Sequence, residues 1–234
     1  MAIYALLGGR STSYLNNPIL EEKIFKLAKL EKPNILYFPF ACLDDMTKSF
    51  NKFKELMKNA NCKLDCIYSL DNKEEVLCKI KWADVLYFGG GHSEDLIKTI
   101  KDSYVNDLLI DTEKVICGIS AGAIMLSKSG MGDRYAYSNA YRMYNYKMVD
   151  GLSIIPITIC PHYDHDGLLC YNDIVSDYNI DGYALEDDTG IVFSEDKVIV
   201  IKGDNSKSVY FFSRNDKYKI KPLYEVVKWK KWLF

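Results

Sequence analysis

Residues 115–126 read Val115-Ile116-Cys117-Gly118-Ile119-Ser120-Ala121-Gly122-Ala123-Ile124-Met125-Leu126. An apolar, β-type run leads in and a helix-compatible run leads out, with Gly118-Ile119-Ser120-Ala121-Gly122 at the junction. A G-x-S-x-G between strand and helix is the context of a nucleophile elbow. The sharp turn holds its serine in a strained conformation. The glycines are needed because side chains there would strike neighbouring backbone. A helix opening just after Ser120 aims N–H groups at the site, which suits a developing oxyanion. A small-residue turn without chemistry has the same local pattern, so the surrounding chain decides between the two.

Outward from this stretch the chain alternates. Apolar runs at Ile3–Leu7, Ile35–Phe40, Cys66–Leu70, Val85–Phe88, Val115–Gly118 and Ile155–Cys160 read as strands buried on both faces. Between the earlier runs lie helical stripes, one of Ile19, Ile24, Leu27 and Ala28, another of Phe50, Phe53, Leu56, Met57 and Ala60. Strand then helix, repeated, predicts right-handed crossovers and a largely parallel sheet flanked by helices, an α/β fold. After about residue 180 the runs Tyr183–Leu185, Gly190–Phe193, Lys197–Ile201 and Ser208–Phe212 are joined by tight turns. They predict an antiparallel C-terminal strand meander closing one edge. No linker or repeat interrupts the chain, so residues 1–234 are expected to form one domain.

Composition narrows the function classes. The 234 residues carry 30 basic and 32 acidic side chains, a net of −2, so no basic excess exists to hold a nucleic-acid backbone. Hydrophobic residues at 48% are enough for a large core and argue against disorder. Seven cysteines, at 42, 62, 66, 78, 117, 160 and 170, match neither a disulfide framework nor a zinc-site spacing. They read as reduced thiols of a cytoplasmic protein. Residues Met1 to Arg10 lack a basic n-region and hold only a short apolar run, so neither signal peptide nor membrane span is expected.

In a parallel sheet, sites lie at the carboxyl ends of strands. The loops to read are therefore Gly8–Ser13, Gly89–Ser93, Gly118–Ala123 and Pro161–Gly167. Gly89-Gly90-Gly91 allows close backbone approach and offers N–H groups, either as a second oxyanion donor or simply as a tight turn. The chain has three histidines: His92, His162 and His165. His162 follows the run Ile155–Cys160 and stands at the correct edge to serve as general base for Ser120. His162, Asp164 and His165 taken as metal ligands lack any familiar spacing, and no metal is expected. The base needs an acid to fix its tautomer. Candidates are Asp187, Glu186, Asp188 and Asp133.

Together these pieces resemble the dipeptidase E and cyanophycinase family of serine peptidases. The matching pieces are Gly8-Gly9 after the first strand, Tyr87–Gly91, Gly118-Ile119-Ser120-Ala121-Gly122-Ala123, Pro161-His162, and Ala184-Leu185-Glu186-Asp187. They run in family order over about residues 1–200. The resemblance implies a flavodoxin-like fold related to class I glutamine amidotransferases. It implies Ser120 as nucleophile, His162 as base and Asp187 as the acid of a later strand, with Asp133 resembling an acid also proposed in dipeptidase E relatives. The oxyanion donors would be the N–H groups of Ala121 and of Gly90 or Gly91. Two departures stand out: His92 replaces the family's usual Asn after the glycines, and residues 163–177 contain no arginine of the kind aspartyl dipeptidases use on their substrate.

The expectation is hydrolysis of a peptide bond in a small peptide through an acyl-enzyme, without cofactor, nucleic acid or membrane; a homo-oligomer is compatible with the sequence. An esterase of the α/β-hydrolase type, with Asp133 as acid, and an inactive binding protein on the same fold are the alternatives. The segment 134–146 holds Arg134, Arg142 and five tyrosines, and either walls the cleft or forms a half-buried loop or edge strand. Arg134 and Arg142 are candidates for holding a substrate carboxylate, against surface salt bridges as the plainer account. The tail Lys228-Trp229-Lys230-Lys231-Trp232-Leu233-Phe234 is read as aromatics packed on the domain with lysines outward.

Overall fold

The apolar runs become strands because they have no polar face to show to water. In the computed structural model, β1 (Ile3–Leu7), β2 (Asn34–Phe38), β4 (Val85–Phe88) and β5 (Val115–Ile119) are buried almost throughout. The structure describes residues 2–10, 18–110, 112–133, 146–165, 171, 181–194, 197–212, 220–222 and 227–228. With β3 (Lys63–Cys66) these strands pair in parallel in the order β3-β2-β4-β5-β1. The third strand lies earlier than the run Cys66–Leu70 predicts. Pairing with β2 sets it, matching Asn34 to Lys63 and Tyr37 to Cys66.

Successive side chains point to opposite faces. On one face Ala5, Leu7, Ile35, Tyr37, Val85, Tyr87 and Cys117 pack against α1 (Ile19–Phe25) and α2 (Met46–Leu56). On the other, Leu6, Leu36, Phe38, Leu86, Phe88 and Ile116 pack against α3 (Lys73–Trp82), α4 (Ser93–Lys101), α5 (Val105–Ile110) and α6 (Ala121–Leu126). The result is a mixed α/β fold with helices on both faces of a mostly parallel sheet.

The later strands do more than close one edge. β10 (Thr189–Ser194), β11 (Lys197–Lys202) and β14 (Val227–Lys228) extend the first sheet antiparallel beyond β1. A second sheet runs β13-β12-β9-β8-β6-β7. Its members are β6 (Ser127–Asp133), β7 (Tyr146–Asp150), β8 (Ile155–Cys160), β9 (Gly182–Leu185), β12 (Val209–Phe212) and β13 (Ile220–Pro222). The meander is thus divided between two sheets. Ile155, Ile157, Ile159, Tyr183 and Leu185 join the same core as α6 and the first sheet, so β8 and β9 lie over that face. The carboxyl ends of β1, β4 and β5 in one sheet and β8 and β9 in the other therefore meet. Among the described residues no helix is long and apolar enough to cross a membrane.

Candidate active site

Ser120 occupies the junction of β5 and α6 with φ 53° and ψ −109°. A non-glycine residue at such angles costs about 1–3 kcal/mol and persists only where its surroundings enforce it. Here they do. The Ser120 N–H donates to the Leu7 carbonyl at 3.0 Å, and its own carbonyl accepts from Ile124 N–H at 3.1 Å. A Cβ on Gly118 would lie 2.3 Å from the Gly122 carbonyl, and one on Gly122 would lie 2.4 Å from the Phe88 carbonyl. The two glycines let α6 sit directly against β4 and β5.

His162 leaves β8 at its carboxyl end, also with positive φ (53°), and its N–H donates to the Gly8 carbonyl at 3.2 Å. Its Nε2 lies 2.9 Å from Ser120 Oγ and its Nδ1 2.6 Å from Asp187 Oδ1. A carboxylate can only accept, so Nδ1 carries the proton and Nε2 is left to accept from the serine hydroxyl. Asp187 follows β9 and is 5% exposed at its side chain. Burial alone would raise its pKa, but hydrogen bonds from His162 and His165 outweigh burial and hold it well below the usual carboxylate range. It is ionised at neutral pH.

Three groups that the sequence pointed to without assigning them this role complete the arrangement. His165 donates from Nε2 to the other oxygen of Asp187 at 2.9 Å. Asp164 accepts from the Asp187 N–H at 2.9 Å and is paired in turn with Lys207. Gly9 lies against the pair, where a Cβ would be 2.2 Å from Asp187 Oδ1 and 2.2 Å from His162 Cε1. The Gly9 carbonyl also accepts from Asp188 N–H at 3.0 Å. The visible signals were Gly8-Gly9 after β1 and the density of Asp and His at 162–165; their convergence on one carboxylate was not visible.

Gly90 and Gly91 stand beside the serine. A Cβ on Gly90 would come within 3.3 Å of Ser120 Cβ, and Gly91 has φ 139°. The Gly90 carbonyl accepts from the Cys42 thiol at 3.3 Å. In a planar trans peptide the Gly91 N–H therefore points the opposite way. Among the described residues no backbone carbonyl accepts from Gly90 or Gly91 N–H. Ala121 N–H opens α6 and has no partner within the helix.

Ser120, His162, His165 and Gly91 share a cavity of about 260 Å³ with Ser93, Ile124, Met131, Gly132, Tyr146 and Pro161. A larger cavity of about 580 Å³ lies beyond Gly90 and Ile119, walled by Tyr37, Phe53 and Tyr87, with the ion pair of Arg10 and buried Glu21 at its floor. Neither Ser120 nor a histidine lines it. Arg10 is thus committed to Glu21 and is not at the serine. Of the other acid candidates, Glu186 is engaged by different partners, accepting from Ser208 N–H and Tyr210 Oη. Asp133 ends β6 opposite Tyr146. Arg134 and Arg142 lie outside the described residues. His92 precedes α4, 2.9 Å from Asp95.

Residues 5–201 match the sequence model of peptidase family S51. The chain is 27% identical over 207 residues to the uncharacterized peptidase YgaJ of Bacillus subtilis (strain 168), covering 84% of each. The fold is similar to a peptidase from an acI-B1 Actinobacterium, with TM-score 0.71 and 17% identity, over 98% of this chain and 97% of that one. It is also similar to a putative peptidase E from Listeria monocytogenes EGD-e, with TM-score 0.63 and 17% identity, over 87% of this chain and all of the other.

Proposed function

We propose a mechanism from the premise that this chain belongs to peptidase family S51 and is a peptidase: it cleaves a peptide bond through an acyl-enzyme on Ser120. The observation that carries this reading is the chain of hydrogen bonds from Ser120 Oγ to His162 Nε2 and from His162 Nδ1 to Asp187 Oδ1, at 2.9 and 2.6 Å. His162 takes the hydroxyl proton as Oγ attacks the scissile carbonyl. Asp187 fixes the tautomer and stabilises the imidazolium. The tetrahedral oxyanion receives the N–H groups of Ala121 and of the Gly90-Gly91 loop, Gly91 being the better aimed. His162 then protonates the leaving amine, the acyl-enzyme forms, and water activated by the same imidazole releases the acid.

The substrate in this reading is a small peptide. A cavity of about 260 Å³, just below the usual range of ligand pockets, suits a ligand no larger than roughly a dipeptide. The putative peptidase E with a similar fold supports the dipeptidase reading. Arg134 and Arg142 remain our candidates for a substrate carboxylate, and we read the protein as cytoplasmic. The esterase alternative needs Asp133 as acid. The contact of Asp187 with His162 favours the order serine, histidine, acid instead.

The test is hydrolysis of a dipeptide panel by wild type and Ser120→Ala. Loss of a triad nucleophile should lower kcat on the order of 10⁶-fold with the circular dichroism spectrum unchanged. A variant keeping a tenth of the wild-type rate would rule this mechanism out.

A further inference from the structure

We propose that His165 is a positioning residue, holding the second oxygen of Asp187 so that the first stays aimed at His162. The proposal rests on the serine-peptidase reading. The carboxyl group of an aspartate turns easily about Cβ–Cγ, a broad, two-fold rotation. Bound through one oxygen, Asp187 would be free to swing its plane and lengthen the bond to His162. Bound through both, by two imidazoles at 2.6 and 2.9 Å, it has one orientation.

The imidazoles are themselves tied together. His165 N–H donates to the His162 carbonyl at 2.8 Å, closing the turn that carries both rings. The ring centroids are 4.9 Å apart with planes 33° from parallel. Between them in sequence, Asp164 takes the Asp187 backbone N–H and is anchored by Lys207. Three residues of one turn thus grip one aspartate at its two carboxylate oxygens and its backbone N–H. Gly9 closes the opposite side so tightly that no Cβ fits. His165 is 43% exposed at its side chain, so packing alone does not explain its placement. Its Nε2–H is spent on Asp187, and the serine hydroxyl is bonded to His162, so His165 acts through the carboxylate and not on the reacting atoms.

The experiment compares kcat and KM of wild type, His165→Ala and His165→Gln on the best dipeptide found, with thermal unfolding run alongside. The amide nitrogen of glutamine reaches about where imidazole Nε2 stands and can donate the same bond. His165→Ala should lower kcat roughly 10- to 100-fold with KM nearly constant, as losing the outer partner of a functional group does. His165→Gln should recover most of that loss. Three results overturn the proposal: wild-type kcat in both variants, equal impairment of both with native unfolding temperatures, or a rise in KM at constant kcat. Failure of the underlying reading shows itself separately, as activity surviving in Ser120→Ala, and takes this proposal with it.

Discussion

Gly9 shows how much of the site rests on an atom that is missing. Its backbone is not in the left-handed region, so alanine at this position meets no φ penalty, yet its Cβ would stand 2.2 Å from both Asp187 Oδ1 and His162 Cε1. Gly9→Ala should therefore push the histidine and aspartate apart while leaving the strands intact. A displacement of about 1 Å at such a pair costs on the order of 10²-fold in turnover. Dipeptide hydrolysis checks it: near-wild-type kcat would mean that the pair is not held as tightly as the geometry implies. At this scale the sequence was partly legible. Ser120 carries a spaced motif, and His162 sits at the end of a recognisable strand. The choice of Asp187 over Glu186 and Asp133 came only with the resemblance. Gly9 and His165 were visible, but their roles were not, because these are defined by a group 178 and 22 residues away in the chain, Asp187 in both cases.

At the scale of elements, the elbow depends on two backbones touching. Gly122 lies in α6 with the Phe88 carbonyl 2.4 Å from where a Cβ would be. Helix preference alone would make Gly122→Ala stabilising by about 1 kcal/mol. The clash is with a strand carbonyl that cannot rotate away, so the net should be a loss of about 1–3 kcal/mol, as for other overpacked cores. Urea unfolding reads the sign directly, and a raised midpoint would mean that α6 does not press on β4. The parallel core was legible from its apolar runs. The second sheet was legible only in its apolar strands β8, β9 and β12. Its β6, Ser127-Lys128-Ser129-Gly130-Met131-Gly132-Asp133, has no apolar run, because Ile124, Ile159 and Val149 press against its glycines and leave room for little more than hydrogen. Burial there selects small residues, and small polar residues read as a loop.

For the molecule as a whole, the two sheets meet where the proposed catalytic groups lie, so protonation at the site is felt as stability. Asp187 has a lowered pKa. Its contribution is full above the unfolded value of ~3.9 and is lost as pH falls through its folded value. His165 is raised, chiefly by its hydrogen bond to Asp187. Its contribution is full below the unfolded value of ~6.5 and is lost as pH rises through the folded one. The stability lost in Asp187→Asn should then be largest between about pH 4 and 6.5 and shrink on either side. Denaturation midpoints of both proteins across that range measure it, and a difference independent of pH would contradict the assigned pairing. The central claim is narrower still: Ser120 is an activated nucleophile. Incubation with a fluorophosphonate probe, followed by mass spectrometry of the digested protein, tests it most directly. We predict a single phosphonylated serine at Ser120 in the wild type and almost none in His162→Ala. Labelling absent from the wild type, or located on another serine, would contradict the account.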